Sequence, residues 1–449
     1  MRSKRIKIGV ACAAVGLLAA MVSAGLATGA GTAAPVGSGK ASPAKSVCGL
    51  GNGKKATGTP VKLGAIVTVV PGLNWDEITD NAQAYFNCVN DNGGINGRPI
   101  KYFVHVEQIN PEQVAAFARK LIEEEKVLGL VSTIDVLDCA INGPYYAQKK
   151  FYVIGLGVHD VCYGDTPYHS AINMGPAYST LGAAQYLVRQ GAKKLVVVSP
   201  TGVDAAGTWN KPAVAWAGTK GIPAVDIHDP YPFNGPQQAL KYVQLAGDGG
   251  GVVLDSTTSE TLKVIKAAES LGIADKVKWA ASTPSNDTTF AKGAGPFWNG
   301  KIGVNAELTL LQGKGPDAAL YRAVHDKYIT KWGQSTFGQF GFLAARVAVE
   351  TLLTLKPSQL TAKGVNQAFV KIKNWKSDLL CHPWYYGDLP GRVANNWDIT
   401  VVPLNGKMVQ KEACFPLANI TNELKATRKA EKKYKLTSGT SYPPPAWQR

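Results

Sequence analysis

From residue 61 onward the chain alternates short apolar runs with stretches whose apolar positions recur at helical spacing. VKLGAIVTVV, residues 61 to 70, is nearly unbroken apolar sequence of strand length, as expected of a strand covered on both faces, and Pro71-Gly72 turns the chain. Residues 80 to 89 place apolar side chains at 82, 85, 86 and 89, one face of a helix. NDNGGINGRPI (90 to 100) ends that helix: Gly93-Gly94 supply left-handed positions, Asn96-Gly97 a tight turn, and Pro99 leads into a strand at 100 to 106. The alternation predicts helix 111 to 125, strand 127 to 132, helix 138 to 149 and strand 151 to 155. After a break at 165 to 177 it resumes with helices at 177 to 190, 208 to 220, 236 to 246 and 259 to 271, between strands at 195 to 200, 223 to 228, 251 to 255 and 277 to 281. Helices at 338 to 355 and 361 to 373 and strands at 380 to 387 and 397 to 404 follow. Units of this kind build parallel sheets flanked by helices, and their number predicts an α/β protein of two doubly wound lobes in series. A length of 449 residues, 45% hydrophobic and 18% charged, suits two such cores.

The ends change the picture. Residues 1 to 34 begin with Arg2, Lys4, Arg5 and Lys7, run apolar from Ile8 to about Leu26 and exit through small residues, the pattern of an export signal. The run also approaches the length of a membrane anchor; its Ala and Gly content favours cleavage. Cys48 lacks the Leu-small-small context of a lipoprotein site. Residues 35 to 57 read as a Gly, Ser, Pro and Lys linker. Removing residues 1 to 34 takes away four basic residues and no acid, lowering the net charge from +16 to +12. Part of that excess lies in a basic C-terminal tail, 421 to 449, within ELKATRKAEKKYK. Without a reader motif or interleaved aromatic residues such a run is no nucleic-acid site, and a polyanionic envelope surface suits it better. Export leaves Cys48, Cys88, Cys139, Cys162, Cys381 and Cys414. An even count in an oxidising compartment predicts three disulfides out of fifteen connectivities, and proximity in sequence pairs them in that order. No Cys-x-x-Cys is present to hold a metal.

The stretches Lys62-Leu63-Gly64-Ala65-Ile66-Val67, Asn90-Asp91-Asn92-Gly93-Gly94-Ile95-Asn96-Gly97-Arg98, Pro111-Glu112-Gln113-Val114-Ala115, Lys120-Leu121-Ile122 and Lys126-Val127-Leu128-Gly129-Leu130-Val131 resemble the type I periplasmic binding proteins, in the leucine, isoleucine and valine branch of ABC-importer receptors. The resemblance runs from about 61 to 410. It implies two lobes joined by three crossovers, residues 58 to 175 with 305 to 378 and 176 to 304 with 379 to 420, closing by hinge motion over a ligand. It further implies a monomer that meets a membrane permease and needs no cofactor.

Ligands in such sheets collect beyond the carboxyl ends of the strands. On the first lobe the resemblance assigns Ser132, Thr133 and Asp135 after the third strand, Gly157 and His159 after the fourth, and the aromatic walls Trp75 and Phe337. Ser132 and Thr133 equally suit a helix cap, and the two aromatic residues suit core packing. On the second lobe Asp204, Asp255, Ser256, Thr257 and Thr283 stand at strand ends; Asp255 also suits a helix cap. Here the sequence departs from amino-acid receptors, which offer aromatic hydroxyls near 204 and 258 and, near 283, a Glu that neutralises the ligand's ammonium. Thr283 carries no charge. Either Asp204 or Asp255 takes over that role or the ligand is a different small polar or aromatic solute. Asp160 stands where a dinucleotide fingerprint begun at Gly155 and Gly157 needs its third Gly, which argues against NAD. No nucleophile elbow, His-Glu-x-x-His or phosphate loop is present, and the six His are scattered, so the reading is a binder and not an enzyme. An extracytoplasmic sensor or envelope-interaction module on the same fold is the alternative.

Overall fold

The apolar runs resolve into two sheets. In the computed structural model, which describes residues 47–70, 73–164, 167–204, 206–387 and 392–436, all of these elements belong to the unit Pro43–Arg449. The export signal, the first part of the linker, the Pro71-Gly72 turn and the last residues of the tail lie outside the described residues.

The first lobe contains β1 (Val61–Val70), β2 (Leu73–Asn74), α1 (Asp76–Asn90), β3 (Ile100–Glu107), α2 (Pro111–Arg119), β4 (Leu130–Val131), α3 (Asp138–Lys149), β5 (Val153–Gly155) and β6 (His169–Ala171). Strands β3, β1, β4, β5 and β6 lie side by side in that order and all parallel, and β2 folds back antiparallel on the end of β1. The chain then enters the second lobe: α4 (Pro176–Arg189), β7 (Leu195–Pro200), α5 (Lys211–Thr219), β8 (Ala224–Asp229), α6 (Gly235–Ala246), β9 (Gly251–Leu254), α7 (Thr258–Ser270), β10 (Lys278–Ala281), α8 (Thr288–Ala294) and β11 (Ile302–Ala306). It returns as α9 (Pro316–Tyr328), α10 (Thr336–Leu353) and α11 (Ala362–Phe369). A third crossing delivers β12 (Trp397–Leu404) and β13 (Lys407–Pro416), which extend the second sheet antiparallel beyond β11, and α12 (Asn422–Lys433) closes the described chain. The α/β class, with two mostly parallel sheets and three crossings, is the one the sequence predicts. The stretch 380–387, expected as a strand, makes only an isolated bridge between Trp384 and Trp375. Among the described residues no helix is long and apolar enough to cross a membrane.

The central strands are buried on both faces, which explains their lack of polar alternation: every residue of β5, β7, β9 and β11 is buried, whereas the outer strands β3, β8 and β13 are partly exposed. Helix starts follow local chemistry. Asn110 caps α2 with Pro111 at its first position, and Thr257, Ser335 and Thr421 cap α7, α10 and α12. The three disulfides are Cys48–Cys88, Cys139–Cys162 and Cys381–Cys414, the pairing that proximity in sequence suggests. Of the expected linker, residues 47–57 lie against the first lobe: Cys48 is bridged to α1, and the Ala56 amide donates to the Asn90 carbonyl at 2.8 Å.

Helices α1 and α10 meet through glycine. A Cβ on Gly341 would fall 1.9 Å from the Ile78 carbonyl oxygen, a backbone atom that no rotamer change can move. Gly341→Ala should therefore force the helices apart and destabilise the fold by about 1–3 kcal/mol, read as a lowered denaturant midpoint. An unchanged midpoint would show that the helices slide without penalty.

Candidate functional site

The carboxyl ends of both sheets face a common space of about 140 Å³. From the first lobe Leu73, Trp75, Ile78, Ile134, Leu156 and Val158 reach it, joined by Phe337 and Phe340 at the start of α10. From the second lobe come Pro200 and Val203 after β7, Trp209 before α5, Tyr231 after β8, Asp255 to Thr257 after β9, Thr283 and Pro284 after β10, and Glu307 after β11. Asn173, Gly175 and Ser179 belong to the first crossing and the helix it feeds. Most of the wall is apolar, five of its side chains are aromatic, and no Lys, Arg or His is among its described residues. The lobes also touch beside this space, where the Thr336 hydroxyl donates to the Asn286 carbonyl at 2.8 Å and Asp287 bridges to Ser335.

Two carboxyls line the space. Asp255 is buried and accepts from the Ser282 hydroxyl at 2.7 Å and the Thr180 hydroxyl at 2.9 Å. Burial pushes its pKa up to about 7 against those hydrogen bonds, and Asp204 adds repulsion. Glu307 accepts from the Met174 amide, and the Gly175 amide and Thr283 hydroxyl lie close enough to favour its ionised form. Burial is again the largest influence and raises it to about 8, with repulsion from Asp255. Trp209 is 6% exposed, and its indole N–H has no partner. The ring is presented by Asp204, whose carboxylate accepts from the Thr208 amide at 2.7 Å and the Trp209 amide at 3.1 Å. Tyr231 is fixed by the Thr257 amide, which donates to its hydroxyl at 3.1 Å.

Of the residues singled out from sequence, Trp75, Gly157, Asp255, Ser256, Thr257, Thr283 and Phe337 gather around this space. The others stand behind it. Ser132 is buried with φ +65° and donates to the Gly341 carbonyl at 3.3 Å, and the Thr133 hydroxyl accepts from the Ile66 amide at 3.4 Å, so both tie the β4 loop to its neighbours. Asp135 accepts from the amides of Leu137 and Asp138 at 2.6 and 2.8 Å, which starts α3. His159 is half-buried ahead of a single helical turn, and Asp204 buttresses Trp209 as described. Thr257 caps α7, and Asp255 caps nothing. Gly157 does reach the wall, but the Asn173 side chain occupies its amide at 2.8 Å.

Sequence reading passed over Glu307, Trp209, Tyr231, Asn173 and Phe340. One signal was available for Glu307: Ile302-Gly303-Val304-Asn305-Ala306 alternates apolar with small or polar residues, and the acid follows at once. Among the described residues, the His, Cys and acidic side chains close enough to share an ion are Cys139, Cys162 and His169. Their two sulfurs are joined in a disulfide and offer no thiolate.

The sequence matches the model of a family described as periplasmic binding protein over residues 71–407. No curated protein matches it. Similar solved structures include a fatty acid ABC transporter substrate-binding protein from Thermomonospora curvata, at 17% identity and TM-score 0.66, over 83% of this chain and 96% of that one. A branched chain amino acid ABC transporter from Thermus thermophilus with bound valine aligns at 14% identity and TM-score 0.67, over 83% of this chain and 100% of that one. A leucine binding protein from Thermotoga maritima aligns at 14% and 0.61, over 79% and 99%.

Proposed function

Because the chain belongs to the type I periplasmic binding proteins, we propose that it is an exported solute receptor that traps a small molecule between its lobes and presents the closed form to an ABC permease. The observation that carries this reading is the space at the carboxyl ends of both sheets, walled by side chains from each lobe. A ligand touching both walls favours the closed arrangement by its difference in affinity for the two states. Among the described lining residues no nucleophile is paired with a base, and capture without chemistry is the role this lining supports. We place the receptor outside the cytoplasmic membrane on the strength of residues 1–34 and the three disulfides.

Thermal-shift screening of the mature chain against amino acids, amides, short peptides, aromatic acids and amines tests this. A true ligand at a hundred times its Kd should add about 2.7 kcal/mol of stability and reduce the radius of gyration in solution scattering. A complete absence of both effects would sink the reading.

One observation favours the envelope-interaction alternative. Lys425, Lys429, Lys432 and Lys435 are exposed and follow helical spacing along α12 and its end, whereas Glu431 is buried and paired with Arg428. Salt-sensitive retention on cell wall with no response to any solute would select that reading instead.

A further inference from the structure

We propose that the solute this cleft takes is a compact organic cation bearing one hydrogen-bond acceptor, an amino alcohol or choline-like compound, and not an α-amino acid or an organic acid. The proposal rests on the solute-receptor reading and deepens it.

The charge pattern comes first. Buried acids stand along one edge of the second sheet: Asp204 after β7, Asp255 after β9, Glu307 after β11 and Asp398 in β12. Asp255 and Glu307 line the cleft, and none of the described lining residues carries a positive charge. The titratable groups that act on Glu307 and Asp255 repeat the same sign. Glu307 is repelled by Asp255 and in turn acts on Asp398 and on the buried Tyr163, while Asp204 repels Asp255. The bases recorded around this group stand outside the cleft: His228 lies 3.8 Å from Asp204, Arg189 acts on Asp398, and His159 and Lys211 act on Asp160. Once these acids are ionised, above about pH 8, a ligand carboxylate would add another negative charge to this set with no cation among the described lining residues opposite it. An enclosed cation supplies the missing partner.

The walls agree. Trp75, Trp209, Tyr231, Phe337 and Phe340 offer aromatic faces, which attract cations most strongly where water is excluded. The Gly157 amide, which the resemblance to amino-acid receptors would leave for a ligand carboxylate, is held by Asn173. Among the described wall residues the Trp209 indole N–H is buried without a partner, and a neutral acceptor on the ligand would satisfy it. The volume of about 140 Å³ is close to that of an engineered cavity of roughly 150 Å³ that admits benzene, which keeps the solute small.

Two matched trios test the proposal by calorimetry on the mature chain: choline, 3,3-dimethylbutan-1-ol and 3,3-dimethylbutanoate; and ethanolamine, ethylene glycol and glycolate. Leucine is run beside them. At least one cation should bind about tenfold or more tighter than its neutral and anionic counterparts and than leucine. A cation pairs with the ionised acids, so its Kd should weaken by up to about tenfold per pH unit as pH falls below 8, where Glu307 takes up its proton. Glu307→Gln should flatten that pH dependence and Trp209→Phe should weaken binding while leaving it intact. Should Glu307→Gln fail to fold, Asp255→Asn and the proton release measured in buffers of different ionisation enthalpy carry the same question. Equal or tighter binding of a neutral or anionic partner or of leucine, or binding of some other solute with both cations silent, overturns the cation proposal and leaves the receptor reading standing. Silence from every solute, with no compaction, removes the receptor reading itself.

Discussion

Arg346→Ala should lower folding stability by about 3–5 kcal/mol, measured as a fall in the guanidinium midpoint at unchanged slope. Arg346 is 7% exposed, and its guanidinium joins four separate parts of the first lobe. It lies 2.9 Å from Asp317 on α9 and 2.8 Å from Glu350 on its own helix, α10. It also donates at 3.2 Å both to the Tyr85 hydroxyl on α1 and to the Val47 carbonyl beside the Cys48–Cys88 bridge. Removing it takes the guanidinium away from Asp317, itself 4% exposed, to which the neutral Ser377 hydroxyl donates at 2.7 Å, and breaking a buried ion pair from one side is the costly outcome. Arg346→Lys should recover part of the loss, because an ammonium restores the charge but not the planar fork that reaches several acceptors at once. A loss below about 1 kcal/mol for the alanine variant would mean that water enters and solvates Asp317.

The contrast between Arg346 and the cleft shows what was legible in the sequence. Period and turn chemistry located most helices and strands of both lobes, since VKLGAIVTVV or LVVVSP is buried on both faces whatever surrounds it. They failed where a strand was short or interrupted by Gly and Asn: β6 has three residues, and β11 reads Ile-Gly-Val-Asn-Ala. Missing β11 hid Glu307, because a residue is recognised at a strand end only once the strand is seen. Trp209 was absorbed into a helix drawn from 208, whereas α5 begins at Lys211 and the ring belongs to the turn that Asp204 holds. Ser132, Thr133 and Asp135 show the opposite case. Their side chains have the right chemistry for a ligand, but the backbone donors and acceptors around them claimed it first, and which neighbour wins is decided by packing distant in sequence, such as Gly341 of α10 beside Ser132.

The buried acids make a second strong prediction: the protein should lose stability as pH rises from 6.5 to 8. Burial is the leading cause in each case, raising Glu77 and Asp255 to about 7, Asp135 and Glu307 to about 8 and Asp138 to about 6, against ordinary values of 4.5 for Glu and 3.8 for Asp. Mutual repulsion adds to this, from Asp138 and Glu107 on Asp135 and from Asp287 on Glu77. Unfolding exposes these groups, and at pH 6.5 and above the unfolded chain has released their protons while the folded chain still holds several. The folded state therefore binds more protons, and its stability declines with rising pH, by about 1.4 kcal/mol per pH unit for each proton held. The contribution is complete below the ordinary carboxyl range and disappears as pH passes through 6 to 8. His169 opposes it only at lower pH: burial depresses its pKa to about 3, so an unfolded chain gains a proton there that the folded chain refuses, and stability falls below about pH 6.5. The interval from 6.5 to 8 isolates the acids from that histidine. Guanidinium titrations at half-unit steps across it should show a loss of at least about 1.4 kcal/mol per unit near pH 7, and Asp135→Asn should reduce the slope, since an amide keeps the acceptor for Leu137 and Asp138 but does not titrate. A flat or rising profile would mean that these carboxyls are ionised in the fold, with water or ions reaching sites that now appear closed.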